Sequence, residues 1–216
     1  MAIFSKLENN KGTISSAIGK QLAQEVLEGN LEILQEAVLL SSYKKKDKKA
    51  KSIRAGAAKI IEVVAEIKPE LVSPYLEDLL PALTVDEPQT KWMTIRTMGF
   101  YAHLNKKVAE KAIPYADEYI TKNDGLCLTS SSDLFLGDFG ALSKENAKKV
   151  FPILEKSMKD VIQNEQDWII ESCIKIFKNL DKKEQDKIIQ FVKLWEEFPR
   201  KSTKVRVKKL LKLSEK

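Results

Sequence analysis

Two stretches of the sequence decide the fold: HLNKKVAEKAIPYADEYI at 103–120 and ALSKENAKKVFPILEKSM at 141–158. They superimpose without a gap at an offset of 38 residues. The coinciding residues are Leu104 with Leu142, Asn105 with Ser143, Ala109 with Ala147, and Pro114 with Pro152. Both stretches have the apolar spacing of an amphipathic helix that follows a capping residue. Their match indicates a helical unit that is repeated along the chain.

The repeat continues in both directions from these two stretches. Second helices are expected to begin near residues 53, 90, 128, 168 and 205, which are 37–40 residues apart. First helices are expected to begin at Asn105, Ser143 and Asp181, and Glu184 stands at capping-box spacing from Asp181. A helix–turn–helix unit of this length predicts stacked pairs, because each pair alone would expose its apolar stripe. The predicted organisation is one domain, 1–216, with a capping helix at 13–28 and pairs at about 30–67, 70–104, 105–142, 143–180 and 181–216.

One part of this pattern resembles the HEAT-repeat family, the armadillo-like helical repeats. The resemblance rests on Ile53-Arg54 followed by Ala57, Ala58 and Ile61, on the run PYLEDLLPAL with Asp86 in the next turn, and on the prolines of the middle first helices. It covers roughly residues 30–216. It implies an all-α fold, an α-α superhelix of about five helical pairs whose second helices line a concave face. It implies a binding surface more than a particular reaction.

The composition is that of a folded protein. The chain has 216 residues, of which 43% are hydrophobic and 31% are charged. We expect no signal peptide and no membrane span, and therefore a cytoplasmic protein. Cys127 and Cys173 are expected to be two reduced, packed thiols.

The stretch GLCLTSSSDLFLGDFGAL at 125–142 contains two features that suggest catalysis. Asp138-Phe139-Gly140 matches a kinase triplet, but the Gly-rich loop, strand lysine and catalytic loop that kinases need are missing from the sequence. A serine nucleophile would need a base, and the single histidine, His103, is expected about two turns from Ser130. We therefore predict no catalytic residue, no metal site and no cofactor.

The serine run aligns at the same offset with residues 91–94, and two interpretations of it stay open. It could form a polar recess on the concave face, or it could cap a helix and let neighbouring helices approach. The first interpretation predicts a partner-binding surface made of Lys91, Trp92, Arg96, Thr129, Ser130 and Asp133. Trp92 is expected to be exposed. The predicted function is a non-enzymatic scaffold or adaptor that binds a macromolecule, in the first place a protein, on this face.

The alternative function is nucleic-acid binding through the basic ends of the chain. The net charge is +6, yet residues 60–140 carry 7 basic and 13 acidic residues, a net of −6. Basic residues concentrate in 44–54 and 200–216 instead, where they could contact phosphates or simply be solvated. The candidate phosphate contacts are Lys44, Lys45, Lys46, Lys48, Lys49, Arg54, Arg200, Lys201 and Arg206.

A second, weaker resemblance is to the DNA alkylation repair glycosylases, which are built from HEAT-like repeats. The resemblance implies a Trp and an Asp one helical turn apart. In this chain Arg96, Ser172 and Pro199 stand four residues after Trp92, Trp168 and Trp195, so the Trp-x-x-x-Asp motif is missing from the sequence. The missing motif argues against base excision, and DNA binding without base excision stays open as an alternative.

Overall fold

The computed structural model describes residues 3–8, 17–44, 48–162 and 164–215, and all their regular elements are helical. This confirms the predicted all-α class. The α-helices are α1 (Phe4–Glu8), α2 (Ala17–Leu27), α3 (Leu31–Ser41), α4 (Lys48–Ile67), α5 (Pro69–Val72), α6 (Pro88–Phe100), α7 (Lys106–Glu110), α8 (Ile113–Lys122), α9 (Leu126–Gly140), α10 (Lys144–Lys159), α11 (Gln166–Ile176), α12 (Lys182–Lys193) and α13 (Lys201–Ser214). Short 3-10 helices cover Ser73–Tyr75, Glu77–Thr84 and Phe177–Asn179.

The segment at 69–84 departs from the regular first helix that the repeat predicts. It forms the single turn α5 followed by two 3-10 segments. Pro74 and Pro81 lie inside these segments and have no backbone N–H to donate, which disfavours a regular α-helix here, although α10 accommodates Pro152.

The chain divides into two compact units, Met1–Ala112 and Ile113–Lys216. In the first unit α4 is the central helix, and it packs against α1, α2, α3 and α6. Its apolar side chains Ile53, Ile60 and Ile61 are almost fully buried. The unit boundary falls inside the pair predicted at 105–142, and the division into five pairs stays a prediction.

Arg54 is the main polar anchor of the first unit. Its Nε and Nη2 donate to the two carboxylate oxygens of Glu87 at 2.7 and 2.6 Å, and its Nη1 donates to the Tyr43 carbonyl at 2.7 Å. Thr90 also donates to Glu87, at 2.7 Å. Because Arg54 and Glu87 are both buried, the Arg54 charge is neutralised internally. The prediction that Arg54 contacts nucleic-acid phosphates is therefore wrong.

In the second unit α9 is the central helix. It packs against α8, α10 and α11, and α11 packs in turn against α13. A methyl group added at Gly137 of α9 would lie 2.7 Å from the Cα of Ser172 on α11, so these two helices approach closely where α9 has no side chain. Helices α9, α11 and α13 thus lie side by side in the same order in which they follow one another in the sequence.

The predicted helix starts at Asn105, Ser143 and Asp181 are confirmed. The Asn105 side chain accepts from the Val108 N–H at 3.4 Å, and the Ser143 hydroxyl accepts from the Asn146 N–H at 3.1 Å. Asp181 and Glu184 form a full capping box. The predicted helix at 13–28 is described from Ala17 onward as α2, and residues 13–16 lie outside the described part of the chain. Among the described helices, none is long and apolar enough to cross a bilayer.

Candidate functional site

The predicted residues Lys91, Trp92 and Arg96 lie along one side of α6. All three are partly accessible, whereas their neighbours on the other sides of the helix are buried. Phe100, which the sequence analysis did not single out, extends the same stripe at four-residue spacing. A partly accessible stripe on α6 therefore consists of Lys91, Trp92, Arg96 and Phe100, and it is called here the α6 stripe.

The sequence predicts that Trp92 is exposed, but its ring is half-buried. It packs against a cluster of Ala55, Ala58 and Met93. The Lys59 ammonium lies 4.8 Å from the centre of the ring, in a cation–π contact. Small alanines on α4 leave the space that the indole fills.

A second cation–π contact follows on the same stripe. The Arg96 guanidinium carbon lies 4.0 Å from the centre of the Phe100 ring. Two aromatic rings, each covered by a cation, therefore occupy the α6 stripe. Such amphipathic surfaces are suited to contacts with another macromolecule.

The other three predicted residues, Thr129, Ser130 and Asp133, are buried on α9. The Ser130 hydroxyl donates to the Leu126 carbonyl at 2.6 Å, and the Ser132 hydroxyl donates to the Leu128 carbonyl at 2.8 Å. These bonds stay within one helix and favour the packing interpretation of the serine run. Asp133 has no exposed surface, so its side chain belongs to the interior and not to a partner-binding face.

A cavity of about 310 Å³ lies beside these α9 residues in the second unit. Helices α8, α9 and α10 and the segments that follow α8 and α10 supply its walls. The lining residues are Ile120, Thr121, Asn123, Thr129, Lys156, Ser157, Asp160 and Glu165. Thr129 is the one residue among them that the sequence analysis had proposed for binding. We call this space the α9 cavity.

Two buried carboxyl groups interact beside the α9 cavity: Glu165 belongs to its lining, and Asp133 lies outside that lining. Asp133 Oδ1 accepts from the Ser157 hydroxyl at 2.7 Å, and Glu165 Oε2 accepts from the Ile162 N–H at 2.9 Å. Asp133 Oδ2 and Glu165 Oε1 receive no bond from a hydroxyl or N–H donor of the described residues. The two carboxyl groups influence each other's pKa directly, and a proton shared between them would satisfy both oxygens.

The environment decides which carboxyl keeps that proton. Burial, followed by the negative charge of Glu165, raises the pKa of Asp133 well above its usual range, although the Ser157 hydrogen bond opposes the shift. Burial also raises the pKa of Glu165, against the opposing effects of the Thr129 hydroxyl, the Ile162 N–H and Asp133. Glu165 directly precedes α11, whose N-terminal dipole favours an anion. These effects favour Asp133 as the group that holds the shared proton and donates the hydrogen bond to Glu165.

Neither Ser157 nor Glu165 was found by sequence reasoning. Ser157 is a single hydroxyl within the first helix of its predicted pair, and Glu165 is one acid in a short turn. They meet Asp133 only because α9, α10 and the start of α11 pack together. A repeat offset of 38 residues aligns equivalent positions and does not indicate such contacts between different helices.

The predicted phosphate contacts near the C-terminus are largely engaged within the protein. Arg200 and Arg206 approach Asp167 at 3.5 and 3.8 Å, and Arg206 also pairs with Glu171 at 3.1 Å. Asp167 further accepts from Ser202 and Thr203 at 2.6 and 2.5 Å, which fixes the start of α13 on α11. Lys201 is exposed.

The remaining candidates belong to the basic segment at 44–54. Lys44 is exposed, and Lys49 is exposed and pairs with Glu8 at 3.2 Å. Lys45 and Lys46 lie outside the described residues, as does the side chain of Lys48.

Both cysteines are free thiols. Cys173 is buried as predicted, but Cys127 is exposed rather than packed. Over the ranges described, no group of three or more His, Cys, Asp or Glu side chains is arranged to hold a metal ion.

Comparison with known proteins gives a likeness of fold. No family model matches the sequence, and no curated protein matches it. Among solved structures, the chain is similar to the crystal structure of an engineered protein from the Northeast Structural Genomics Consortium. The TM-score is 0.66 at 13% sequence identity, over 97% of this chain and 94% of that one.

Proposed function

We propose that this protein is a non-enzymatic helical-repeat scaffold that binds a macromolecular partner, in the first place another protein. The observation that carries the proposal is the packing of α9, α11 and α13 as successive neighbours in chain order. This is the packing expected when second helices of a HEAT-like array stack on one another. Stacked arrays of this kind serve mainly as extended binding surfaces. A cytoplasmic location would fit such a role.

The α6 stripe is the surface that we propose for the partner. It combines the positive charges of Lys91 and Arg96 with the rings of Trp92 and Phe100. Aromatic residues and Arg are enriched at protein interfaces, because they supply both contact area and directed polar groups. The partner is expected to present acidic and apolar side chains to this stripe.

An affinity capture from native extract, with and without nuclease, tests this function. The double variant Lys91→Glu/Arg96→Glu reverses the charge of the stripe and should lose a partner that the wild type retains after nuclease treatment. The control variant Lys20→Glu/Lys51→Glu changes the net charge equally at exposed positions of α2 and α4. Capture by the double variant equal to that of the control would remove the assignment to the α6 stripe.

A second candidate function, nucleic-acid binding, is favoured by one observation. Lys201, Lys208, Lys209 and Lys212 are all exposed on α13, at spacings that put them on one side of the helix. Nuclease-sensitive capture, lost on neutralising these lysines, would favour this candidate over the protein scaffold.

A further inference from the structure

The walls of the α9 cavity present hydrogen-bond acceptors more than donors. The Thr129 hydroxyl has two acceptors for its hydrogen, the Leu126 carbonyl at 3.3 Å and the Glu165 carboxylate, and the Ser157 hydroxyl gives its hydrogen to Asp133. Each hydroxyl has only one hydrogen, so what remains on both oxygens is lone pairs. Glu165 and Asp160 add carboxylate acceptors to the same lining.

The donors in the lining are Asn123 and Lys156, and the Lys156 ammonium already has partners. It contacts Asp117 at 2.5 Å and Thr121 at 3.4 Å. The side-chain amide of Asn123 can both donate and accept a hydrogen bond. The inner part of the cavity, at Thr129, Ser157 and Glu165, is therefore an acceptor site.

The buried oxygens Asp133 Oδ2 and Glu165 Oε1 make this site more than a cluster of acids. Both are almost inaccessible, and they have no N–H or hydroxyl donor in the described residues. Two facing carboxyl oxygens are satisfied either by a shared proton or by a cation that supplies donors. Glu165 belongs to the cavity lining and Asp133 does not, so a positively charged donor group in the cavity would contact Glu165 and act on Asp133 through its charge.

We propose that the α9 cavity binds an organic ammonium group, carried by a lysine side chain or by a free alkylamine. Glu165 and Asp160 supply the opposite charge, and Thr129 and Ser157 accept hydrogen bonds. An alkylammonium has three N–H donors and no acceptor, which complements this lining. The volume of about 310 Å³ is at the lower end of small-molecule sites, and Ile120 offers an apolar wall for the methylene chain.

Binding of a cation should be linked to proton release. The titratable groups around the carboxyl pair of Asp133 and Glu165 are Lys156 and Asp160, on or directly after α10, and the buried Cys173 thiol on α11. The lining residues from α8, Ile120 and Thr121, do not titrate. A bound ammonium stabilises the ionised form of Asp133, so the shared proton leaves to solvent and affinity rises with pH. The positive charge of Lys156 opposes the attraction between the bound ammonium and the carboxylates, but Lys156 is paired with Asp117.

The test is isothermal titration calorimetry of the full chain with two probes, a lysine amide that is acetylated only on its α-nitrogen and diaminobutane. We expect saturable binding that tightens with pH, with a heat that depends on the ionisation enthalpy of the buffer because a proton is released. Preference for the first probe identifies a protein lysine as the source, and preference for the second identifies a free amine. The same lysine amide with its side-chain nitrogen acetylated has no charge and should not bind.

Two variants connect the binding to the cavity. Glu165→Gln should weaken binding about tenfold or more, since it removes a charged partner of the ammonium. Asp160→Asn should also weaken it, and because Asp160 is exposed this variant keeps the experiment decisive if Glu165→Gln does not fold. The matched control is Asp186→Asn, an exposed acid of α12 paired with Lys182, which should bind as the wild type does.

The proposal is overturned if neither probe binds saturably, if the acetylated probe binds equally well, or if both cavity variants retain wild-type affinity. It does not depend on the proposed scaffold function. Capture of a partner through the α6 stripe could fail while ammonium binding persists, and the reverse is equally measurable.

Discussion

At the scale of single residues, the protonated Asp133 makes the stability of the protein depend on pH. Its pKa in the folded state lies above the value of about 3.9 expected for an unfolded chain. Between these two values the native state binds more protons, so the free energy of unfolding falls as pH rises. The stabilisation is complete below the unfolded pKa and is lost as pH approaches the native one. Each pH unit in this window costs up to about 1.4 kcal/mol per retained proton.

Asp133→Asn tests this dependence. Asparagine keeps the shape, accepts from Ser157 and can donate an N–H to Glu165 without titrating. We expect the fall of unfolding free energy with pH, measured by denaturant titration from pH 4 upward, to become shallower in this variant. Glu165 and Glu62, whose pKa values are also raised by burial, leave a residual slope. A slope equal to that of wild type would show that Asp133 does not hold the proton.

The buried pair of Arg54 and Glu87 gives a second prediction at this scale. Glu87→Gln leaves the guanidinium buried without a counter-charge and should cost about 3–5 kcal/mol of unfolding free energy. The control is Glu77→Gln in the exposed pair with Lys111, for which we expect a change below about 1 kcal/mol. Denaturant titrations of both variants measure the difference. An equal loss of unfolding free energy in the two variants would mean that the burial of the Arg54–Glu87 pair does not increase its contribution to stability.

Sequence reasoning could not assign Arg54 and Asp133 correctly, for related physical reasons. A charge in a sequence suggests solvent or phosphate unless its partner is known, and Glu87 lies 33 residues from Arg54. Asp133 needed Ser157 and Glu165, 24 and 32 residues away, to be recognised as an interior acid. Local patterns carry no signal for such contacts. The α6 residues were found because one helix places them together.

At the scale of helices, the close approach of α9 and α11 depends on Gly137. Alanine there would put a methyl group 2.7 Å from the backbone of Ser172, so one helix must move. We expect Gly137→Ala to destabilise the protein by about 1–3 kcal/mol despite the better helix propensity of alanine. Thermal and denaturant unfolding measure the loss.

Gly56→Ala is the matched control, since it also lies inside a long helix. The added methyl group would meet only the Leu7 side chain, whose terminal Cδ2 would lie at 2.7 Å. Helix propensity should then offset the local shift, and stability should change little or rise. If both variants lose equal stability, the tight backbone contact of Gly137 is not the cause.

Helix starts and the all-α class could be predicted because their signals are local. Asn105, Ser143 and Asp181 cap helices through bonds to residues three positions ahead, which a sequence displays directly. The 3-10 segments at 73–84 were missed because Pro74 was counted as a repeat marker and Pro81 as part of the PYLEDLLPAL run, and not as residues without an N–H donor.

At the scale of the whole molecule, charge separates the two candidate functions. The net charge of +6 favours contact with nucleic acid, but residues 60–140 carry −6 and would repel it. Of the predicted phosphate contacts, Arg54 is buried, and Arg200 and Arg206 are engaged by Asp167 and Glu171. The exposed residues Lys201, Lys208 and Lys212 of α13 remain available to phosphates, whereas Lys209 pairs with Glu171 at 3.9 Å.

We therefore expect duplex DNA and RNA to bind only at low ionic strength and to dissociate near physiological salt, as in non-specific binding through a few lysines. Fluorescence anisotropy of labelled duplexes over a salt series measures this. Replacing Lys201, Lys208 and Lys212 with Gln should reduce the slope of log K against log salt by about 0.9 for each phosphate contact that is lost. The same replacements should leave capture of a protein partner unchanged, because none of them lies on the α6 stripe. Tight binding that persists at high salt and is abolished by these replacements would make nucleic acid the principal ligand and displace the scaffold proposal.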